Sequence, residues 1–242
     1  MNDIADKKAA ATQAEGAFAA AYFARFGVSK QTIFEIIDRY GALYRDMGAV
    51  TLPTPAGPAP AACSKGCWYC CHTIIVLTAP EAFYLAEHIE ATRDAAGLAA
   101  VKRSVTAADA VTRGKRGEER WGRGPPCPLL DIEEGACSVY EGRPLACRGA
   151  YSSSLASCKK AFAERAANPR SLGSEPFIYQ NSDIVIRALA IGLKSTGRSL
   201  YRLEMNAALT AIWSTPNAFD AWLGGADIFR DARAPGFDGP LV

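Results

Sequence analysis

Apolar residues recur at helical spacing through most of the chain and lose that spacing in one central region. Residues 3 to 26 are alanine-rich, with charges spread between the apolar positions, and predict an amphipathic helix closing at Gly27. A second helix follows Ser29, whose side chain can cap it. Its apolar residues Ile33, Ile36, Ile37, Tyr40 and Leu43 share one face, and Gly48 lies just beyond. The segment TLPTPAGPAPAAC (51–63) is proline-rich, cannot continue a helix, and reads as an extended lead. The run Ile74–Leu77 is short and β-branched, which predicts a strand. Thr78 and Glu81 stand at capping-box spacing with Pro80 in the first turn, so a helix is expected over 79–95. Another is expected through 98–112. RGKRGEERWGRGPP (113–126) reads as a glycine-rich, solvated connection, with a functional basic patch as the alternative.

Further along, CPLLDIEEGACSVY (127–140) places two short apolar runs around DIEEG, the pattern of a small hairpin turning at Gly135. EGRPLACRGAYSSSLASC (141–158) reads as irregular. Helical patterns follow at 156–167, 182–196 and 201–213, with a short last helix at Asn217–Leu223. The 182–196 pattern is apolar almost all round and should be buried. No internal repeat is present. The expected fold is mainly α: a helical body with a central cysteine-rich, partly β insert that binds metal. Residues 1–50 form an N-terminal helical arm, 51–160 the cysteine-cluster region and 161–242 a C-terminal helical region, packed as one domain.

Of the 242 residues, 49% are hydrophobic, enough to bury a proper core. The net charge of +2 gives no broad electrostatic case for a nucleic-acid or membrane-surface partner. No run approaches the roughly 18 apolar residues of a membrane span. The nearest, DIVIRALAIGLK (183–194), is interrupted by Arg187. The N-terminal residues carry acids ahead of their lysines and no apolar signal core, so a cytoplasmic location with reduced thiols is expected. That placement bears on the eight cysteines. An even count suits disulfides in short secreted chains, and this chain is long and apolar, so structural disulfides are not expected.

The cysteines fall in two groups: Cys63, Cys67, Cys70 and Cys71, then Cys127, Cys137, Cys147 and Cys158. Core packing accounts for scattered cysteines, not for four within nine residues. On a straight helix the first group would share one face, but its ends would stand about 12 Å apart at 1.5 Å per residue. Sulfurs around one tetrahedral ion sit only about 4 Å apart. The segment must therefore bend, and Gly66 is the candidate bend. Cys70 and Cys71 are adjacent and cannot serve one site equally. The second group must supply ligands, most simply by folding back over the first. One centre with spare cysteines, or two centres, would satisfy this pattern.

Zinc favours paired C-x₂-C knuckles, and only Cys67–Cys70 has that spacing. All-cysteine ligation by many thiolates suits an iron–sulfur cluster, [4Fe-4S] in one or two copies, with zinc as the alternative. The spacing of Cys63, Cys67 and Cys70 is also that of radical SAM enzymes, but the strand–helix series those enzymes need is absent from the pattern. His72 is either a ligand, a donor to a cluster sulfur, or the exposed end of the knot. His88 reads as a surface or satisfied histidine. Arg143 and Arg148 flank Cys147 and are candidates to bind a cofactor or a substrate carboxylate, with simple pairing to Glu133, Glu134 or Glu141 as the plainer reading.

CSKGCWYCC followed by CPLLDIEEGACSVYEGRPLACRGA resembles the YkgJ-type cysteine-cluster family, described as a zinc- or iron-chelating domain. The family pattern falls on Cys63, Cys67, Cys70, Cys71, Cys127, Pro128, Leu130, Cys137, Val139, Tyr140, Arg143, Pro144, Cys147 and Arg148. Cys158 matches no position of it, and Ala150 stands where an aromatic residue is common. The resemblance implies a metal-binding protein, more often iron–sulfur than zinc. A flagellin lysine N-methylase carries a related cysteine pattern, which implies methylation of a peptide or small molecule as one activity. The corresponding enzyme classes are an iron–sulfur-dependent oxidoreductase and a SAM-dependent methyltransferase. No glycine-rich nucleotide loop after a strand marks an ordinary SAM-binding sheet. The competing class is a structural zinc module that binds a partner protein.

Overall fold

Small residues let two helices distant in sequence, the N-terminal one and that of residues 180–194, approach to backbone contact. The computed structural model of the protein describes residues 2–45, 51–52, 57, 59–120, 124–164 and 180–242. In chain order the helices are α1 (Asn2–Phe26), α2 (Lys30–Arg45), α3 (Ala79–Thr92), α4 (Ala95–Thr112) and α5 (Gly117–Arg120). They continue with α6 (Leu145–Arg148), α7 (Leu155–Glu164), α8 (Gln180–Lys194), α9 (Met205–Ser214) and α10 (Ala218–Leu223). Three antiparallel two-stranded pairs join β1 (Thr51–Leu52) to β2 (Ala59–Pro60), β3 (Val76–Leu77) to β6 (Leu203–Glu204), and β4 (Leu130–Asp131) to β5 (Ala136–Cys137). The protein is mainly helical, with the cysteine-rich region at its centre.

Helix α1 lies along α8. A Cβ on Gly192 would stand 2.6 Å from the Ala19 Cβ, and one on Gly16 would stand 2.8 Å from Ile191, so neither position has room for a side chain. Helix α2 begins with a reciprocal cap. The Thr32 N–H donates to the Ser29 hydroxyl at 3.2 Å, and the Ser29 N–H donates to the Thr32 hydroxyl at 2.9 Å. The predicted stripe of Ile33, Ile36, Ile37 and Tyr40 is buried, together with Ala19, Phe23, Val185, Leu189, Leu193 and Leu145. Leu43 and Gly48 lie outside the residues whose side chains are described. A second core joins α3, α4, α9 and α10 around Leu85, Ile89, Val105, Leu209 and Phe229.

Three expectations are corrected. Residues 201–204 are not helical: Leu203–Glu204 pairs with Val76–Leu77, and α9 starts at Met205. The irregular stretch 141–158 contains α6 and the start of α7. The connection 113–126 is not wholly solvated. It holds the short α5, whose Arg120 is buried and bonds Glu204 from Nη1 to Oε1 at 2.7 Å. The other Glu204 oxygen accepts the Ala207 N–H at 2.9 Å and so caps α9. Among the described residues no helix is long and apolar enough to cross a membrane.

Candidate metal centre

Gly66 has a φ of +91°, a conformation that residues with a Cβ rarely adopt, and it breaks the first cysteine segment as expected. The Cys67 N–H closes a turn on the Ser64 carbonyl at 3.0 Å, and Tyr69–His72 form a single 3₁₀ turn. The thiols of this segment therefore do not form one straight stripe.

The second cysteine segment folds back over the first. The Cys127 N–H donates to the Cys71 carbonyl at 2.7 Å, and the Ala62 N–H to the Ser152 carbonyl at 2.7 Å. The predicted hairpin is present, with Leu130 opposite Cys137. Its turn residue Gly135 has a φ of +61°. A Cβ there would stand 3.0 Å from the Gly66 Cα, so glycine at 135 gives the two loops their close approach. Lys65 and Glu134 bridge the same two loops at 2.6 Å on the surface.

Glu81 sets the position of Cys147. Its Oε2 accepts from the Thr78 N–H at 2.9 Å and the Thr78 hydroxyl at 2.8 Å, the cap foreseen for α3. Its Oε1 accepts the Leu145 N–H at 2.9 Å, at the start of the short helix that carries Cys147. Burial pushes this carboxyl up, against the pull of those donors and of the Arg148 charge. Arg148 is itself buried, donating from Nε to the Arg143 carbonyl at 2.8 Å and from Nη2 to the Glu141 carbonyl. Arg143 is half-buried and donates from Nε to the Tyr140 carbonyl at 3.0 Å. Its guanidinium lies 3.5 Å from the Tyr140 ring centroid.

The thiols sort by their contacts. The Ser152 N–H donates to the Cys63 sulfur at 3.3 Å, and the Ser152 hydroxyl hydrogen-bonds with the Cys158 thiol. The Cys63 thiol donates a hydrogen bond to the Cys67 sulfur. This raises Cys63 and lowers Cys67 to about 6, helped by the Tyr69 N–H and the nearby Lys159 ammonium. Cys70 is raised by its hydrogen bond with Cys71 and by burial. Burial raises Cys127, Cys137 and Cys147, each within electrostatic reach of another of the three. Backbone N–H groups two residues on, at Leu129 and Val139, donate to the Cys127 and Cys137 sulfurs. Cys70 is within electrostatic reach of Cys63, Cys137, Cys147 and Cys158.

His72 is half-buried against Trp68 and Phe162, with ring centroids at 5.1 and 4.8 Å, and burial lowers its pKa. His88 is half-buried and packs against Gly142, where a Cβ would stand 2.5 Å from its ring. Cys158, which matched no family position, is buried in α7 against Tyr69 and Cys70. Ser152 and Glu81 were not foreseen as parts of the centre. The Thr78–Glu81 spacing pointed to one Glu81 oxygen only, and nothing in the sequence pointed to the other.

Among the described residues, no three cysteine, histidine or carboxylate side chains converge closely enough to hold a metal ion as they stand. The donor chemistry nevertheless fits a thiophilic metal. Clustered thiols share protons with one another, and backbone N–H groups aim at the sulfurs of Cys63, Cys67, Cys127 and Cys137. Rotation between staggered χ1 wells is the freedom that would bring these sulfurs inward. A cleft lined by Lys8, Thr12, Gln13, Asp183, Arg187 and Val242 belongs to the helical body and contains no cysteine.

No curated protein and no solved structure matches the chain. One family model does, over residues 62–168, the segment that holds all eight cysteines. Over that segment the chain is similar to the CxxCxxCC family, described as a putative zinc- or iron-chelating domain.

Proposed function

We propose that this metal-chelating domain binds an iron–sulfur cluster and serves a redox or cofactor-binding role on a peptide or small-molecule substrate. One observation carries this reading: thiols of both segments, Cys63, Cys137, Cys147 and Cys158, stand within electrostatic reach of Cys70. Iron–sulfur clusters take cysteine thiolates, and hydrogen bonds to the sulfurs and nearby charge tune their potential. Tyr69, Leu129 and Val139 supply such N–H groups, and Arg143 and Lys159 supply positive charge. A bound cluster provides one-electron transfer, or an open iron position for a cofactor such as SAM. Arg143, whose charge reaches Cys137, would be the residue to meet a substrate carboxylate. Arg148 adds its charge from a buried position, while its N–H groups hold the loop carbonyls.

A second reading, structural zinc, has its own support. Leu145 of the Cys147 helix packs into one hydrophobic core, while Cys127 and Cys137 pack against the other. A closed site there would staple the two cores. Anaerobic purification separates the readings. Iron with acid-labile sulfide and broad visible absorbance is the expected result. A colourless protein with stoichiometric zinc would overturn the iron–sulfur reading in favour of the structural one.

A further inference from the structure

We infer that Glu81 is a positioning residue of the cysteine centre: from helix α3 it caps the four-residue helix that carries Cys147 and so sets where that thiol stands. This rests on the reading of the cysteines as metal ligands and adds to them a residue that holds no metal itself.

Helix α6 (Leu145–Arg148) is too short to persist alone, because a first helical turn fixes several dihedrals for a single hydrogen bond. The N–H groups of that turn need partners from outside the helix. Pro144, at the N-cap, makes no side-chain capping bond. The Leu145 N–H donates instead to Glu81 Oε1 at 2.9 Å, across 64 positions of sequence. Leu145 is buried in the core of α1, α2 and α8, whereas Glu81 stands in the first turn of α3, which belongs to the other core. One carboxylate therefore fixes the helix of Cys147 relative to both cores.

A plain capping role for α3 would need one carboxylate oxygen, and Glu81 uses both. Oε2 takes the two Thr78 bonds, from the N–H at 2.9 Å and the hydroxyl at 2.8 Å, which leaves Oε1 for Leu145. Glu81 is 2% exposed, so water does not compete for either oxygen. Aspartate, shorter by one methylene, cannot reach both elements. Glutamine keeps an acceptor oxygen for only one of them.

Alkylation of the reduced, metal-free, full-length chain, read by peptide mass spectrometry, tests the placement without any metal. Labelling of Cys147 relative to Cys127 should be about tenfold faster in the Glu81→Asp chain than in wild type, the change expected for one lost buried hydrogen bond. The Glu81→Gln chain, which preserves the shape of the side chain, should show a smaller rise. Thr78→Val weakens the cap of α3 but leaves the Leu145 bond, so its ratio should stay at the wild-type value. An unchanged ratio in Glu81→Asp, or an equal rise in Thr78→Val, overturns the inference and leaves Glu81 as the cap of its own helix. Zinc affinity, measured by competition against a chromophoric chelator, should fall roughly 10–100-fold in Glu81→Asp, as for other groups that support metal ligands. Affinity equal to wild type in that chain also overturns the inference. A wild-type chain that takes up neither zinc nor ferrous iron overturns the metal reading instead, and the labelling ratio still decides the role of Glu81.

Discussion

Replacing Cys70 by serine is expected to lower thiophilic-metal affinity more than a hundredfold, whereas replacing its neighbour Cys71 should cost less than tenfold. The two side chains are adjacent, so the contrast tests placement rather than composition. Cys70 packs against Cys158 and stands within electrostatic reach of Cys63, Cys137 and Cys147. Cys71 contributes its carbonyl to the Cys127 N–H, and serine keeps that carbonyl. Changes in groups that only support ligands already cost roughly 10–100-fold in affinity, so loss of a central ligand should exceed that range. A hundredfold loss is about 2.8 kcal/mol, and metal-binding energy is also folding energy, so the melting temperature should fall with it. Competition against a chromophoric chelator measures both affinities. Equal losses in the two variants, or a larger loss in the Cys71 variant, would contradict the central place of Cys70.

Glu204→Ala should destabilise the chain by about 4 kcal/mol, a large share of the ~5–15 kcal/mol that holds a domain together. The substitution leaves Arg120 buried without its partner, a loss of about 3–5 kcal/mol, and removes the cap of α9, worth about 1. The two costs share one side chain and do not add fully. Denaturant unfolding measures the change. The Arg120→Met/Glu204→Gln chain should recover part of the loss, since it leaves no buried charge unpaired. A Glu204→Ala chain within about 1 kcal/mol of wild type would contradict the reading of this pair as the anchor of α5.

The helices carrying strong local signals were legible from sequence. The Ile33–Tyr40 stripe and the Ser29 and Thr78–Glu81 caps lie where periodicity and spacing put them. The fold-back of the second cysteine segment was legible too, because one helical face could not gather four thiols and Gly66 and Gly135 marked the bends. Long-range pairing was not legible. Residues 201–204 carry a helical pattern and are drawn into a strand by Val76–Leu77. Arg120 reads as a loop charge, and Glu204, distant in sequence, turns it into a core residue. Ser152 and Cys158 have the same origin: a serine-rich loop says nothing of which serine will meet two thiols.

X-ray absorption at the iron and zinc edges of the purified full-length chain tests the central claim most directly, since it reads the ligand atoms whichever metal is bound. The account predicts a first shell made of sulfur, at about 2.3 Å if the metal is zinc. The Cys70→Ser chain should lose that shell or show it depleted. A shell dominated by nitrogen and oxygen in the wild-type chain would contradict the assignment of these cysteines as the metal's ligands.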